Sequence, residues 1–432
     1  MKAREFIDFV RCAPTPFQAV EALAKCFSAN GFEELNEKKP FQVKAGGKYF
    51  VTRNRSALIA FTVPEGNCGS FQITAAHSDS PTFKLKPVFE QTVGDKYVRF
   101  NIEGYGGMIM STWFDRPLSV AGRVMVRTEN GVKTELVDLD RDAVLIPNMP
   151  IHFNREVNSG YSYNPQVDLL PLYGDGSAKG GLMRELAEKC GCKEEDILST
   201  DLFLYSRTPG SVWGAKDEFF SCGRIDDLEC AWTAAEALMN AKTEGHINVC
   251  AVFDNEEVGS TSKQGADSTF LYDVLYRAAC ALGYDDEHIR AMMASGFMLS
   301  ADNAHAVHPN HGEKFDADNR VYMNGGVVIK ANANQKYTTD GVSAAVFSEI
   351  CRRAGVPVQY FANRSDVRGG STLGNISNAH LSMNTADIGL AQLAMHSCYE
   401  TAGTKDVEYM INAVRAFYET DIAMQKDGTY SF

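Results

Sequence analysis

Residues 247–260 read INVCAVFDNEEVGS: a largely apolar run, then Asp254, Asn255, Glu256 and Glu257, then a glycine turn. An apolar run of that length reads as a buried strand. The same pattern recurs where Phe71–Ala76 precedes His77-Ser-Asp79, where Phe297–Leu299 precedes Asp302, and where Ile388–Met395 precedes His396. In open α/β sheets, ligands gather just beyond the carboxyl ends of the strands. Four polar clusters at four such ends predict the lining of one pocket. Carboxylates and imidazoles that converge without many lysines to neutralise them call for a metal cation.

Working outward from these runs, the chain after residue 221 alternates helix and strand. Helices are predicted at Leu228–Ala241, Asp267–Leu282, Val342–Arg353 and Val407–Thr420, and strands near 247–253, 297–301, 325–331, 357–361 and 386–394. That alternation predicts an α/β fold: a mixed, mainly parallel sheet with helices on both faces. Ahead of it, residues 3–30 read as two helices split by Pro14-Thr15-Pro16, and Lys48–Arg53 with Ala57–Val63 as a hairpin. Residues 91–221 differ. Ser119–Thr128 and Val132–Leu139 alternate around Asn130-Gly131, a hairpin signal, and a Pro/Asn-rich loop spans Ile146–Pro165 before a helix near Leu182–Cys190. None of the four clusters falls there. The stretch 91–221 is therefore expected to be an inserted β-rich domain, dividing a catalytic domain into 1–90 and 222–432. Within it, Gly104-Tyr105-Gly106-Gly107 does not match a dinucleotide fingerprint; it predicts a tight turn or a close backbone approach.

The chain has 432 residues, 44% hydrophobic and 22% charged, with a net charge of −13. That is ordinary composition for a folded protein, and the length implies more than one domain. The acidic balance argues against nucleic acid and anionic membrane as partners. Eleven scattered cysteines lack a C-x-x-C pair, the pattern of reduced thiols in a cytoplasmic protein. No apolar run approaches the roughly 20 residues that span a bilayer. Glu5, Asp8 and Arg11 interrupt the N-terminal apolar residues, so a signal-peptide core is not expected.

Adjacent residues of a strand point to opposite faces. Glu256 and Glu257 can serve one site only if the chain turns there, and Val258-Gly259-Ser260 supplies a turn. One carboxylate could then bind metal while the other carries a proton; a solvated acidic turn is the plainer reading of an isolated pair. His77-Ser-Asp79 suits a ligating imidazole whose second nitrogen is fixed by a carboxylate. Asp226 precedes a helix, where an ordinary acid would serve as a cap or first-turn charge. His396 alone would more often be a satisfied buried histidine. His305, His308 and His311 crowd one loop, and their spacing does not say which touches the site. Together His77, Asp226, Glu257, Asp302 and His396 exceed the about three protein ligands of a mononuclear catalytic zinc. They fit a pair of ions bridged by an aspartate. Zinc suits the set, and manganese or cobalt would accept it. G-x-S-x-G, H-E-x-x-H and P-loop signatures are absent.

Six motifs occur in a telling order: His77-Ser-Asp-Ser-Pro81, Ser111-Thr-Trp-Phe-Asp-Arg116, Arg224-Ile-Asp226, Asp254-Asn-Glu-Glu-Val-Gly-Ser260, Ser300–Asn310 and Leu393-Ala-Met-His-Ser397. On these the chain resembles, essentially end to end, the aspartyl aminopeptidase family of dinuclear zinc metallopeptidases. The resemblance implies two Zn2+ per subunit, with His77 and Asp302 on one, Glu257 and His396 on the other, and Asp226 bridging. It implies Glu256 as general base and Asp79 orienting His77. It further implies a homo-oligomer, a dodecamer built from dimers through the inserted domain, with His152 of that domain reaching a neighbouring site. Small peptides with N-terminal Asp or Glu would be substrates. Lys330 would contact their acidic side chain, and His305 is a further candidate for substrate contact. Asp227, Thr261 and His311 depart from the usual Asn, Glu and Tyr at those positions. The resulting expectation is a metal-dependent aminopeptidase. Rival readings are a carboxypeptidase or N-acyl deacylase of the same metal architecture, and a non-catalytic oligomeric carrier with a structural metal site.

Overall fold

The apolar runs singled out above lie side by side. In the computed structural model, which describes every residue except Arg368, they belong to a nine-stranded sheet. Its order is Glu33–Glu34, Lys48–Arg53, Ala57–Thr62, His246–Phe253, Ser70–His77, Phe297–Ala301, Asn384–Gly389, Val327–Lys330, Val358–Phe361. The four strands from His246–Phe253 to Asn384–Gly389 are mutually parallel. Antiparallel partners flank them at Ala57–Thr62 and Val327–Lys330. All their carboxyl ends therefore emerge along one edge.

Side chains alternate between two cores, as the two-residue period of a strand requires. Leu58, Ala60, Cys250 and Val252 join the core under helices Ile225–Asn240, Gly341–Ala354 and Asp406–Glu419 and the two N-terminal helices. Ile59, Phe61, Val249 and Ala251 face the opposite core, under helices Phe270–Ala281, Asp286–Ala294 and Leu373–His380. The mixed, mainly parallel sheet with helices on both faces is thus found. The four long helices predicted after residue 221 are present with ends shifted by a few residues. Asp286–Ala294 and Leu373–His380 went unanticipated, because each is short and buries few residues.

One strand prediction needs correction. The run 386–394 is two strands in two sheets. Asn384–Gly389 ends in the central sheet, and Ala391–Leu393 pairs with Glu400–Gly403 and Ala304–His305 in a small five-stranded sheet. Gly389 packs against the chain leaving Asp302; a Cβ there would collide with the Asp302 carbonyl. His396 consequently sits in a turn after the second strand.

A separate six-stranded antiparallel sheet runs from Thr82 to Ser206, in the order Gly131–Asp138, Leu118–Thr128, Ile197–Ser206, Thr82–Val93, Tyr97–Tyr105, Leu172–Asp175. It has its own apolar core, with Leu182 and Leu186 of helix Gly181–Cys190 packed into it. The expected boundary at 91 falls inside its strand Thr82–Val93. The strand Phe219–Cys222, across the expected boundary at 221, pairs instead with Glu400–Gly403. Among the described residues, no helix is long and apolar enough to cross a membrane.

Phe417 of helix Asp406–Glu419 is fully buried and packs against Phe297 at 5.9 Å between ring centroids. Phe417→Ala should cost about 3–5 kcal/mol of folding stability, read as a lower denaturant midpoint. An unchanged midpoint would contradict this packing.

Candidate active site

The buried strand His246–Phe253 stops at Asp254 because Asn255 takes a left-handed conformation, φ 65°. Glu256–Val258 then make one 3-10 turn, closed by Gly259 at φ 98°. This turn brings both glutamates to the same edge. It is pinned by Asp79, whose carboxylate accepts the Glu256 and Glu257 amides, each at 3.1 Å. Asp79 belongs to the neighbouring strand end, since His77 pairs in register with Phe253. The His77 ring is buried. Its Nδ1 lies 3.1 Å from the Asp79 carbonyl and 3.3 Å from its carboxylate, and its Nε2 faces Asp226 at 3.6 Å.

Asp226 stands in non-helical backbone (φ −79°, ψ 111°) at the start of Ile225–Asn240, after Arg224 turns the chain at φ 59°. Glu400 organises this corner. One of its oxygens accepts the amides of Ile225 (2.6 Å) and Asp226 (3.2 Å), and the other accepts the amide of His396 (2.8 Å). His396 Nε2 lies 3.3 Å from Asp226 and 3.4 Å from Glu257. Its Nδ1 is bonded to the Gly107 carbonyl at 2.5 Å. Asp302 follows the strand Phe297–Ala301, and its amide donates to the Ile388 carbonyl. The Lys330 ammonium is 2% exposed, donates to the carbonyls of Asp302 (2.8 Å) and Asn303 (3.4 Å), and lies 3.8 Å from the Asp302 carboxylate.

The strand-end residues therefore come together. Ligand atoms of His77, Asp226, Asp227 and Asp302 lie within 4.8 Å of one another, as do those of Asp226, Glu257 and His396, and those of His77, Glu256 and Glu257. Such crowding is costly for anions. Burial, reinforced by Asp226 and Asp79, pushes the Glu257 carboxyl well up. Burial pushes Glu256 up to about 7, with Asp302, Asp79 and Asp226 adding to it and His77 opposing. Asp302 rises to about 6 through burial, although Lys330 opposes the rise. Asp226 goes the other way: burial would raise it, but His396 and His77 hold it low. Asp226 Oδ1, Asp227 Oδ1 and Glu257 Oε1 are buried without a hydrogen-bond donor among the described residues. Unsatisfied buried anionic oxygens are expensive. A divalent cation with oxygen and nitrogen ligands would satisfy the Asp226 and Glu257 oxygens, which share a ligand group with His396, so the residues fit zinc.

Other candidates stand apart. His152 lies in the exposed turn 151–153 and belongs to none of these groups. His305 and His308 line a neighbouring cavity of about 260 Å3 with Lys314, Arg364 and Met395. His311 is exposed beside Glu313. Sequence reasoning missed Asp227, Tyr105 and Glu400. Asp227 accepts the His77 amide at 3.1 Å, and the Tyr105 hydroxyl donates to Asp79 at 2.7 Å. Glycines around Tyr105 were the one available signal; a lone Glu at position 400 offered none.

With this geometry described, comparison with known proteins is specific. The family model "Aminopeptidase I zinc metalloprotease (M18)" matches residues 9–418. A relative from Clostridium acetobutylicum, "Probable M18 family aminopeptidase 2", is 47% identical over 96% of this chain and 98% of its own length. Among solved structures, the chain resembles one from "Cryo-EM structure of the Ape4 and Nbr1 complex", with TM-score 0.93, 38% identity, and coverage of 96% of this chain and 85% of that one. It also resembles the S. cerevisiae mApe1 dodecamer, with TM-score 0.85, 27% identity and 96% of each chain covered. A family match spanning nearly the whole sequence, on a fold that brings its strand-end acids and imidazoles together, leads to one conclusion: this chain belongs to the M18 family of zinc metallo-aminopeptidases.

Proposed function

We propose that the protein removes the N-terminal residue of small peptides at a two-zinc centre. His77 and Asp302 would hold one ion, Glu257 and His396 the other, and Asp226 both. The observation that carries this reading is the pair of ligand groups that share Asp226. When bound, such ions acidify a water molecule and polarise the scissile carbonyl. Glu256 accepts the water proton as the oxygen bonds to the carbonyl carbon. It returns that proton to the departing amine as the C–N bond breaks. Asp79 keeps Glu256 and Glu257 on one turn through their amides. Glu400 performs the same service for Asp226 and His396. Glu256 is about 1 residue from a ligand yet not needed as one, which favours catalysis over a closed structural site.

An acidic N-terminal side chain is the proposed preference, with Lys330 as the positive charge beside the site. The six-stranded sheet is the proposed contact between copies, with exposed Ile151 and Phe153 flanking His152 on its long loop. The similarity to a dodecamer supports assembly of twelve chains.

Glu256→Gln should retain zinc and fold while turnover falls about 10²–10⁴-fold; near-unaltered hydrolysis would remove Glu256 as the base. A panel of Asp-, Glu-, Leu- and Ala-amides beside N-blocked peptides, run with and without chelator, separates the rivals. Cleavage of free acidic N-termini, abolished by chelator and restored by zinc, is expected. Cleavage of blocked peptides would favour a carboxypeptidase or deacylase, and chelator-insensitive inactivity a carrier. In the same panel Lys330→Ala should lower the Asp-over-Leu ratio by about tenfold or more, and an unchanged ratio would refute its role. Light scattering on the intact protein should return about twelve chain masses, the size of its dodecameric relative; a monomer would refute the assembly.

A further inference from the structure

The glycine-rich stretch Gly104-Tyr105-Gly106-Gly107 is left without a part in the chemistry above. It closes the strand Tyr97–Tyr105 of the six-stranded sheet and crosses to the metal-binding residues. The Tyr105 hydroxyl donates to Asp79 at 2.7 Å and accepts from the Asn255 side chain at 2.9 Å. It thus holds both the residue that pins the Glu256–Glu257 turn and the residue that starts it. Gly106 follows in the left-handed region, φ 72°. A Cβ at Gly106 would lie 3.1 Å from the Glu257 Cβ and 3.5 Å from its carboxylate. Gly107 turns its carbonyl to His396 Nδ1 at 2.5 Å, and the Ile109 amide donates to the His396 carbonyl at 3.0 Å.

We propose that Gly106-Gly107, brought to the site by Tyr105, is a positioning element for one half of the metal centre, the half made by Glu257 and His396. The inference rests on the two-ion reading above. An imidazole that ligates through one nitrogen needs the other held by an acceptor, which fixes both tautomer and ring orientation. Here the acceptor is a main-chain carbonyl, so no side chain records it. The backbone can come that close only if position 106 has no Cβ and takes a positive φ. Among the described residues, Gly106 and Gly107 make no hydrogen bond to His77 or Asp302, so their direct effect falls on one ion; Tyr105 bears on His77 too, through Asp79. The inserted sheet therefore reaches the catalytic centre within a single chain, whatever its part in assembly.

The test is a zinc titration of the metal-free full-length protein against a chromophoric chelator, for the unmodified chain, Gly106→Ala, Gly106→Asn and Gly104→Ala. Gly104→Ala is the matched control. Its Cβ would meet only the Met108 methyl at an ordinary 3.5 Å, and it should leave both binding steps unchanged. Gly106→Ala should weaken one of the two steps by about 10–100-fold and leave the other unchanged. Should Gly106→Ala fail to fold, Gly106→Asn, a residue that tolerates a positive φ, decides, with selective weakening of the same step and a fall in kcat larger than any rise in KM. Equal weakening of both steps, or no weakening, would overturn the proposal. Uptake of a single ion by the unmodified chain would overturn the two-ion reading itself, and this inference with it.

Discussion

The structure depends on an electrostatic debt at the edge of its central sheet. Asp226, Asp227, Glu257 and Asp302 are gathered around two imidazoles, away from water, with Lys330 as the nearby ammonium. Desolvation alone pushes most of these carboxyls upward. Ordinary folding would expel such a cluster to solvent. A divalent cation would make the arrangement favourable, in keeping with a zinc metalloprotease family.

The fold answers that requirement through acceptor-only carboxylates that never need to touch an ion. Asp79 collects two amides, a phenol and an imidazole, and so sets the glutamate turn. Glu400 collects amides from residues some 170 positions upstream and four positions back, joining Asp226 to His396. A carboxylate is well suited to this work because two oxygens can accept several charge-assisted hydrogen bonds. The parallel strands make it possible. Register across them aligns His77 with Phe253, and the turns carrying Asp79 and Glu256-Glu257 follow directly.

Much of this was legible in the sequence, and for a physical reason. A strand that ends in a site carries its own local signature, an apolar run broken by acid or imidazole. The Glu256-Glu257 turn, Asp302 and His77 were readable in that way, as were the parallel core and the helices on its faces. His396 was readable as a candidate but not in its setting, because its apolar run divides at Gly389 between two sheets. That division reflects a steric contact with the Asp302 carbonyl, which spacing does not encode. Glu400 and Tyr105 were illegible for a different reason. Their partners are main-chain amides or residues from distant segments, and a single Glu or Tyr looks the same whether it points to water or to such a partner. The strand Thr82–Val93 of the six-stranded sheet straddles the expected boundary at 91, since it alternates much like any neighbouring strand.

The most direct test of the central claim is anomalous diffraction at the zinc edge from crystals of the zinc-loaded protein. Two peaks on either side of the Asp226 carboxylate are expected, one beside His77 and Asp302 and one beside Glu257 and His396. A single peak, or peaks away from Asp226, would contradict the account.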